Sequence, residues 1–238
     1  MRLDKLIEEK LSTTRKELKR LFQQRKVLID GQVEQKQNRN VDSQLHEIIV
    51  AGTRLTTDAH YFLLHKPAGV VTAKKDSRFQ TVTQLLRPAD FNPAIYPVGR
   101  LDRDTSGLLL LTDNGQLGYD LLQPDLKVQK TYYALVNEKV TIADVHAFEQ
   151  GICFLDGTRC QPAELVILSA TEKSSAVLLT INEGKFHQVK KMFLACGKKV
   201  TRLTRIKMGP LELPQDLALG DYRPLERSEL RALKKYFR

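Results

Sequence analysis

The sequence predicts an α+β protein, with a small N-terminal α/β module over residues 1–58 and a larger domain with a mainly antiparallel mixed sheet over 59–238. Three observations predict this class. The 238 residues, 42% of them hydrophobic, can bury one sizeable core and a smaller second one. The first part of the chain combines helical apolar spacing with a hairpin signal. Beyond residue 60, strand-like segments outnumber helical ones without alternating with them one for one.

The N-terminal elements follow from spacing and capping. Apolar residues at helical spacing predict a first short helix: Leu3, Leu6, Ile7 and Leu11. Thr14 and Glu17 have the spacing of a capping box, which predicts the start of a second helix. Asp30-Gly31 between two short apolar runs predicts a tight hairpin turn, because this pair adopts positive φ angles readily. The polar stretch 51–59 lacks periodicity and predicts a linker.

The larger domain is predicted from short runs of strand-forming and helix-forming residues. Strands are expected at 61–64, 131–136, 164–168, 176–181 and 200–206. Helices are expected at 82–86, 115–122, 142–151 and 187–196. In the last of these helices Val189, Met192, Phe193 and Cys196 have the spacing of a buried face.

Charge points to a polyanionic partner. The formal net charge is +10, and the positive residues concentrate in two runs, 15–26 and 185–207, of which the second contains no acidic residue. Such patches favour binding to nucleic acid or to an anionic membrane surface. The three cysteines lack zinc-site spacing, and the longest aliphatic string is too short to span a bilayer. We therefore expect a soluble, cytoplasmic protein without a zinc finger.

The most unusual segment is GRLDRDTSGLLLLTDNG, residues 99–115. It places Arg100, Asp102 and Asp104 in a turn-like stretch immediately before an aliphatic run. Reactive groups on a loop that a buried segment anchors are a common arrangement in functional sites. An isolated aspartate of this kind could equally cap a helix or pair with a neighbouring arginine.

This segment resembles the signature of the pseudouridine synthases of the RsuA and RluA groups. Three more segments agree in order: HKPAG at 65–69, KTY at 130–132, and EGKFHQVKKM at 183–192. The last is similar to the RsuA form, since the RluA form has Arg at the position of Lys190. The N-terminal part resembles an S4 RNA-binding module, in which RNA lies against the second helix and the hairpin.

The resemblance implies an isomerase that converts a uridine of ribosomal RNA to pseudouridine without a metal or a cofactor. It makes Asp102 the catalytic carboxylate, Lys190 the cation that keeps it ionised, and Tyr132 the aromatic residue that stacks on the target base. Asp102 is expected to act as a nucleophile on C1′ or on C6, or to assist loss of a ribose proton to give a glycal; the sequence does not choose among these. The adjacent Tyr133 points to the opposite strand face, so one tyrosine is expected in the core and the other in the site. The expected substrate-binding residues are Arg100, Lys66, Arg15, Lys16, Lys19, Arg20, Lys185, His187 and Gln188, with other cations of the run 185–207 available for phosphate contacts.

Partner and specificity are expectations of the same resemblance. The partner is ribosomal RNA or a pre-ribosomal particle, with no membrane association, and a monomer is favoured. The chain ends soon after residues 219–225 without a basic extension of the kind found in several large-subunit relatives, which favours small-subunit rRNA.

Three alternatives stay open at this point. The substrate could be large-subunit rRNA, or the chain could be an RNA-binding protein of the S4 type that lacks activity. Residues 102–105 also match the Asp-x-Asp-x-Thr pattern of magnesium-dependent phosphatases. In that pattern an apolar strand leads into the first aspartate, whereas here the aliphatic run follows it.

Overall fold

The computed structural model describes residues 1–237, which form two β-sheets with helices packed against them. The helices are α1 (Leu3–Leu11), α2 (Arg15–Gln23), α3 (Gly115–Asp120), α4 (Ile142–Gln150), α5 (Gln188–Ala195) and α6 (Arg227–Leu233). No helix within residues 1–237 is long and apolar enough to cross a membrane.

The N-terminal sheet has four short antiparallel strands, β1 (Val27–Ile29), β2 (Gln32–Val33), β3 (Ile48–Val50) and β4 (Thr53–Arg54). Their order in the sheet is β2-β1-β3-β4. The predicted capping box is present at the start of α2: Thr14 Oγ1 accepts from the Glu17 amide, and the Glu17 carboxylate accepts from the Thr14 amide. The predicted turn is also present, with φ of 52° at Asp30 and 78° at Gly31.

The predicted linker at 51–59 is wrong in its first half. Ala51 and Gly52 form the turn of a second hairpin, and β4 follows immediately. Leu55 is buried in the core that α1 and α2 share with the N-terminal sheet. A two-residue strand is too short to show the alternation of apolar and polar residues that predicts a strand. It is defined by the strand with which it pairs and not by its own sequence pattern. The division between residues 58 and 59 itself stays a prediction.

The large sheet confirms the predicted mainly antiparallel mixed architecture. Its strands are β5 (Tyr61–Lys66), β6 (Tyr96–Pro97), β7 (Ser106–Thr112), β8 (Lys130–Val136), β9 (Glu164–Thr171), β10 (Ser174–Ile181), β11 (Val200–Met208), β12 (Leu211–Glu212) and β13 (Tyr222–Pro224). They lie in the order β13-β5-β7-β11-β8-β10-β9, with β6 and β12 paired at the margins. Between residues 1 and 237, every named strand pair is antiparallel except β7 with β11.

Two hydrophobic layers sandwich the central strands. On one face, α4 and α5 pack against alternate residues of β7, β8 and β10, which forms the larger core. On the other face, α3 and α6 cover β5 and β7. The aliphatic run 108–111 is therefore buried on both sides, because it lies in the middle of β7.

One predicted helix has a different form. Residues Val82–Leu85 make a short 3-10 helix rather than an α-helix over 82–86. Thr81 and Gln84 cap its start, and Leu86 is already extended, with ψ of 139°. Pro88 disfavours helical geometry at the residue before it, so the chain has no room for a second turn.

A buried polar cluster joins the N-terminal sheet to the large one. The Tyr61 hydroxyl donates to the Asp42 carboxylate at 2.6 Å, and the Asn114 amide donates to both, at 3.0 and 2.7 Å. At the far end of the chain, Lys234 forms an ion pair with Asp30 at 2.7 Å. Since Asp42 is 1% exposed, its side chain depends on these donors in place of water, which fixes how the two sheets meet.

Candidate active site

Lys66 anchors the loop that carries Asp102. Its side chain is 0% exposed, and its ammonium donates to the backbone carbonyls of Pro67, Asp102, Arg103 and Thr105 at 2.8–3.4 Å. The prediction that Lys66 binds substrate is therefore wrong. A buried ammonium is stable only where acceptors replace its water, and here the loop carbonyls are those acceptors.

Burial lowers the pKa of Lys66 to about 8, and the nearby carboxylates of Asp104 and Asp102 oppose this effect. Lys66 is thus mostly protonated at neutral pH, the form that can donate to several carbonyls at once. The loop backbone is held from inside, and the Asp102 side chain is left to point outward.

A close backbone contact holds the loop from the other side. At Gly107, on the parallel pair of β7 and β11, φ is +113°, and a Cβ atom would lie 2.2 Å from the Arg205 carbonyl oxygen. Arg205 is 2% exposed and donates through Nε to the Leu108 carbonyl at 2.9 Å. It therefore cannot contact a phosphate, although the sequence placed it in the basic run 185–207.

Asp102 and Lys190 meet as predicted. Lys190 Nζ lies 2.8 Å from Asp102 Oδ2 and 2.6 Å from Asp104 Oδ1. The side chains of Asp102 and Lys190 are each 26% exposed, so the ion pair is partly shielded but open to a ligand. His187 Nε2 lies 3.6 Å from Asp102 Oδ1 on the other side of the carboxylate.

The electrostatics of the cluster favour its charged form. Burial alone would lower the pKa of Lys190, but hydrogen bonds with Asp102 and Asp104 raise it. Burial alone would raise the pKa of Asp104, but the hydrogen bond from Lys190 lowers it. Lys190 and Asp104 therefore stabilise each other's charged form beside the Asp102 side chain.

The start of α5 positions Lys190 one turn from His187. Gln188 is 4% exposed, accepts from the Lys185 amide at 2.8 Å and donates to Glu183 at 2.8 Å. The predicted substrate contact at Gln188 is therefore wrong, because both ends of its amide are used inside the protein. Lys185 forms an ion pair with Glu183 and keeps a third of its side chain exposed.

The two adjacent tyrosines lie on opposite faces of β8. Tyr132 is 8% exposed and belongs to the core layer that contains Leu101 and Val189, the sequence neighbours of Asp102 and Lys190. Tyr133 lines a groove on the other face with Thr204. The predicted division into one core and one site tyrosine is too simple, because the tyrosine on the site's face is itself almost buried.

The remaining predicted substrate contacts are exposed cations. Arg15, Lys16, Lys19 and Arg20 all face solvent on α2, and Arg100 is exposed at the start of the Asp102 loop. Within residues 1–237 none of these five side chains forms an ion pair. They are available to a polyanionic ligand.

The site does not fit the phosphatase pattern. The strand next to Asp102 is β7, which begins at Ser106, so it follows the aspartates instead of leading into them. Within residues 1–237 no group of three potential ligands from His, Cys, Asp and Glu lies close enough to hold a metal ion. What the geometry offers is a carboxylate nucleophile or base beside a fixed cation.

Family models match both parts of the chain. Residues 60–195 match the model of the RNA pseudouridylate synthases, and residues 1–45 match the S4 domain. A crystal structure of a pseudouridylate synthase superposes with a TM-score of 0.68 at 35% identity, covering 98% of this chain and 99% of that one.

Relatives that match this chain over nearly their whole length are also named as pseudouridine synthases. An RNA pseudouridine synthase of Bacillus subtilis, YtzG, whose name marks it as uncharacterized, is 39% identical over 99% of both chains. The ribosomal small subunit pseudouridine synthase A of Vibrio cholerae is 39% identical over 99% of this chain and 100% of its own. The Escherichia coli protein of the same name is 35% identical over 97% and 98%.

We expect Lys66→Met to lower the free energy of unfolding by about 3 kcal/mol, because the loop carbonyls lose a charged donor that no water replaces. Urea unfolding followed by circular dichroism measures the loss. Lys130→Met is the matched control. Burial also lowers the pKa of Lys130 to about 8, but among residues 1–237 its ammonium donates to one carbonyl, that of Val128. A loss of about 1 kcal/mol is expected there, and equal losses in the two variants would contradict the anchoring role of Lys66.

Proposed function

Because the chain belongs to the family of RNA pseudouridine synthases, we propose that it isomerises one uridine of small-subunit ribosomal RNA and that Asp102 is its nucleophile. The observation that carries the proposal is the partly exposed Asp102 carboxylate held 2.8 Å from Lys190. Two of the relatives are named for the small ribosomal subunit, which supports the choice of RNA.

The reaction needs a group that can release and rejoin the uracil ring. The C1′–N1 bond breaks, the ring turns, and a C1′–C5 bond forms, while C5 loses a proton and N1 gains one. No electrons leave or enter, so a carboxylate can serve as the only covalent catalyst. Asp102 attacks either C1′ of the ribose, from which C5 displaces it as the new bond forms, or C6 of the base, from which it is eliminated after the new bond has formed.

Lys190 holds the nucleophile in place. Its ammonium donates to Asp102 and Asp104 together, so the Asp102 carboxylate keeps a charged partner when a uridine displaces water from the site. Lysine gives up the bidentate contact that arginine would make but retains the charge. The attacking oxygen is therefore Oδ1, the one that Lys190 does not hold and that faces His187.

Tyr132 forms part of the floor on which the uracil lies. Its place in the layer with Leu101 and Val189 supports this role, because those residues flank the Asp102–Lys190 pair in sequence. Within residues 1–237 the Tyr132 hydroxyl makes no hydrogen bond, so it can assist the proton that leaves C5 or the ribose.

RNA is held by cations at two places. A uridine inside folded RNA must leave its stack, which costs a few kcal/mol. Phosphate contacts from Arg100, Lys185 and the neighbouring cations offset this cost, and His187 borders the ribose or phosphate of the target. The exposed cations of α2 bind RNA at a distance from the site, as the S4 match supports.

We expect Asp102→Asn to reduce pseudouridine formation on rRNA by more than about a thousandfold, because the amide is a poor nucleophile. Binding to the same RNA should change less than about threefold. Asp104→Asn is the matched control: it removes a carboxylate from the same lysine, and activity within about tenfold of wild type is expected. An active Asp102→Asn variant would exclude Asp102 as the nucleophile.

The choice of RNA is tested by mapping. In rRNA from a strain that lacks this gene, chemical mapping should show one pseudouridine missing from the small-subunit RNA, and expression of the wild-type chain should restore it. Asp102→Asn serves as the negative control for restoration. A missing site in large-subunit RNA would assign the other rRNA, and an unchanged map would count against rRNA as the substrate.

The role of α2 is tested by removing charge without removing the module, since deletion of residues 1–58 would expose the buried Tyr61. We expect Lys16→Gln with Arg20→Gln to weaken rRNA binding. The slope of log K against log salt should fall by about 0.9 for each phosphate that the variant no longer neutralises. The pair Lys127→Gln with Lys173→Gln removes the same charge from exposed positions elsewhere. Equal effects from the two pairs would refute a specific role for α2.

A further inference from the structure

Phe186 is an exposed aromatic residue beside the reactive carboxylate. The residue is 72% exposed, which leaves a large apolar area of its side chain in contact with water. The next residue is His187, whose Nε2 lies 3.6 Å from Asp102 Oδ1. The phenyl ring is therefore one residue away from the place where the target uridine reacts.

The ring is held in place by its neighbour. The Phe186 and His187 rings stack with centroids 3.8 Å apart and planes 21° from parallel. His187 adopts φ of 52°, a left-handed conformation that costs a non-glycine residue roughly 1 kcal/mol or more. The stacked pair therefore coincides with a strained backbone next to Asp102, and its outer ring, that of Phe186, buries little of its own surface.

Other exposed phenylalanines lack this combination. Phe79 already lies under two guanidinium groups, with Arg103 4.2 Å and Arg78 5.7 Å from its centroid. Phe91 is 51% exposed but makes no ring contact within residues 1–237 and follows the 3-10 helix of residues 82–85. Of these three, only Phe186 combines a mostly exposed ring with stacking on the residue that lies beside the Asp102 carboxylate.

We propose that Phe186 forms a nucleobase subsite, on which the base next to the target uridine stacks during the reaction. Removing a uridine from its stack leaves its neighbour with an uncovered face. A fixed aromatic ring can cover that face whatever the base, and such stacking stabilises single-stranded RNA by about 1–3 kcal/mol per base. Lys191 Nζ, 5.9 Å from the Phe186 centroid and paired with Asp156 at 3.2 Å, adds a cation for the adjoining phosphate.

The inference rests on the proposed function, because a base is left unstacked only if the uridine at Asp102 is turned out of the RNA. It makes Phe186 a substrate-positioning residue with no part in the chemical step. Its contribution should accordingly appear in KM and in binding, whereas kcat at saturating RNA should be nearly unchanged.

The test compares Phe186→Ala, Phe186→Leu and Phe186→Trp in the full chain, with Phe91→Ala as the matched control. The substrate is an rRNA fragment that contains the mapped target. Ala and Leu should raise KM by about 5- to 160-fold, the range equivalent to losing one stacked base. Trp should stay within about threefold of wild type, because it restores the aromatic surface, and the control should not differ from wild type.

A fluorescent base gives a readout that a purely structural role would not change. With 2-aminopurine placed next to the target uridine, wild type and Phe186→Trp should quench its emission on binding, whereas Phe186→Leu should not. Equal KM values for Leu and wild type, or quenching that survives in Phe186→Ala, would overturn the subsite. A wild-type chain that binds the fragment but makes no pseudouridine would instead overturn the proposed function.

Discussion

The candidate site depends on one buried charge. Lys66 is 0% exposed, and its ammonium donates hydrogen bonds to the carbonyls of Asp102, Arg103 and Thr105. Burying an ammonium costs several kcal/mol unless acceptors replace its water, so the loop conformation and the charge stabilise each other. Because the loop carbonyls point inward to Lys66, the Asp102 carboxylate points outward, to Lys190.

On the opposite side of the site, a buried hydrogen-bonding side chain again fixes the position of the loop or helix, but here that side chain is a neutral amide. Gln188 uses its buried amide to join the Lys185 backbone to Glu183, and this fixes where α5 begins. Lys190 then lies one turn into the helix with its ammonium between two carboxylates. Both partners of the ion pair are therefore positioned by buried groups, Lys66 and Gln188, whose hydrogen bonds are made inside the protein, so the site is organised in advance.

The RNA-binding and reactive parts are linked through polar rather than apolar contacts. Asp42, Tyr61 and Asn114 form a buried hydrogen-bonded cluster between the two sheets, and Asp30 pairs with Lys234 near the end of the chain. Such groups tolerate little displacement, because a buried carboxylate that loses a donor is left unpaired. The cations of α2 and the carboxylate of Asp102 are thus joined in a defined relation, which suits a pseudouridine synthase that carries an S4 domain.

The sequence by itself determined the local elements and the chemistry. The stripe of α1, the cap of α2, the Asp30-Gly31 turn and most strands of the large sheet follow from interactions between residues a few positions apart. The motif resemblance also placed Asp102 beside Lys190, and the structure contains that pair. These features could be predicted because helix and strand propensity, capping and the order of motifs are all properties of the local sequence.

Tertiary structure alone decided which charged and aromatic residues face a ligand. Lys66, Gln188 and Arg205 look like surface polar residues in sequence, yet all three are buried, because strands and loops distant in the chain supply their partners. Tyr132 is only 8% exposed, whereas Phe186 is 72% exposed. Burial depends on contacts across many residues, such as the 88 positions that separate Asp102 from Lys190, and no local pattern records it.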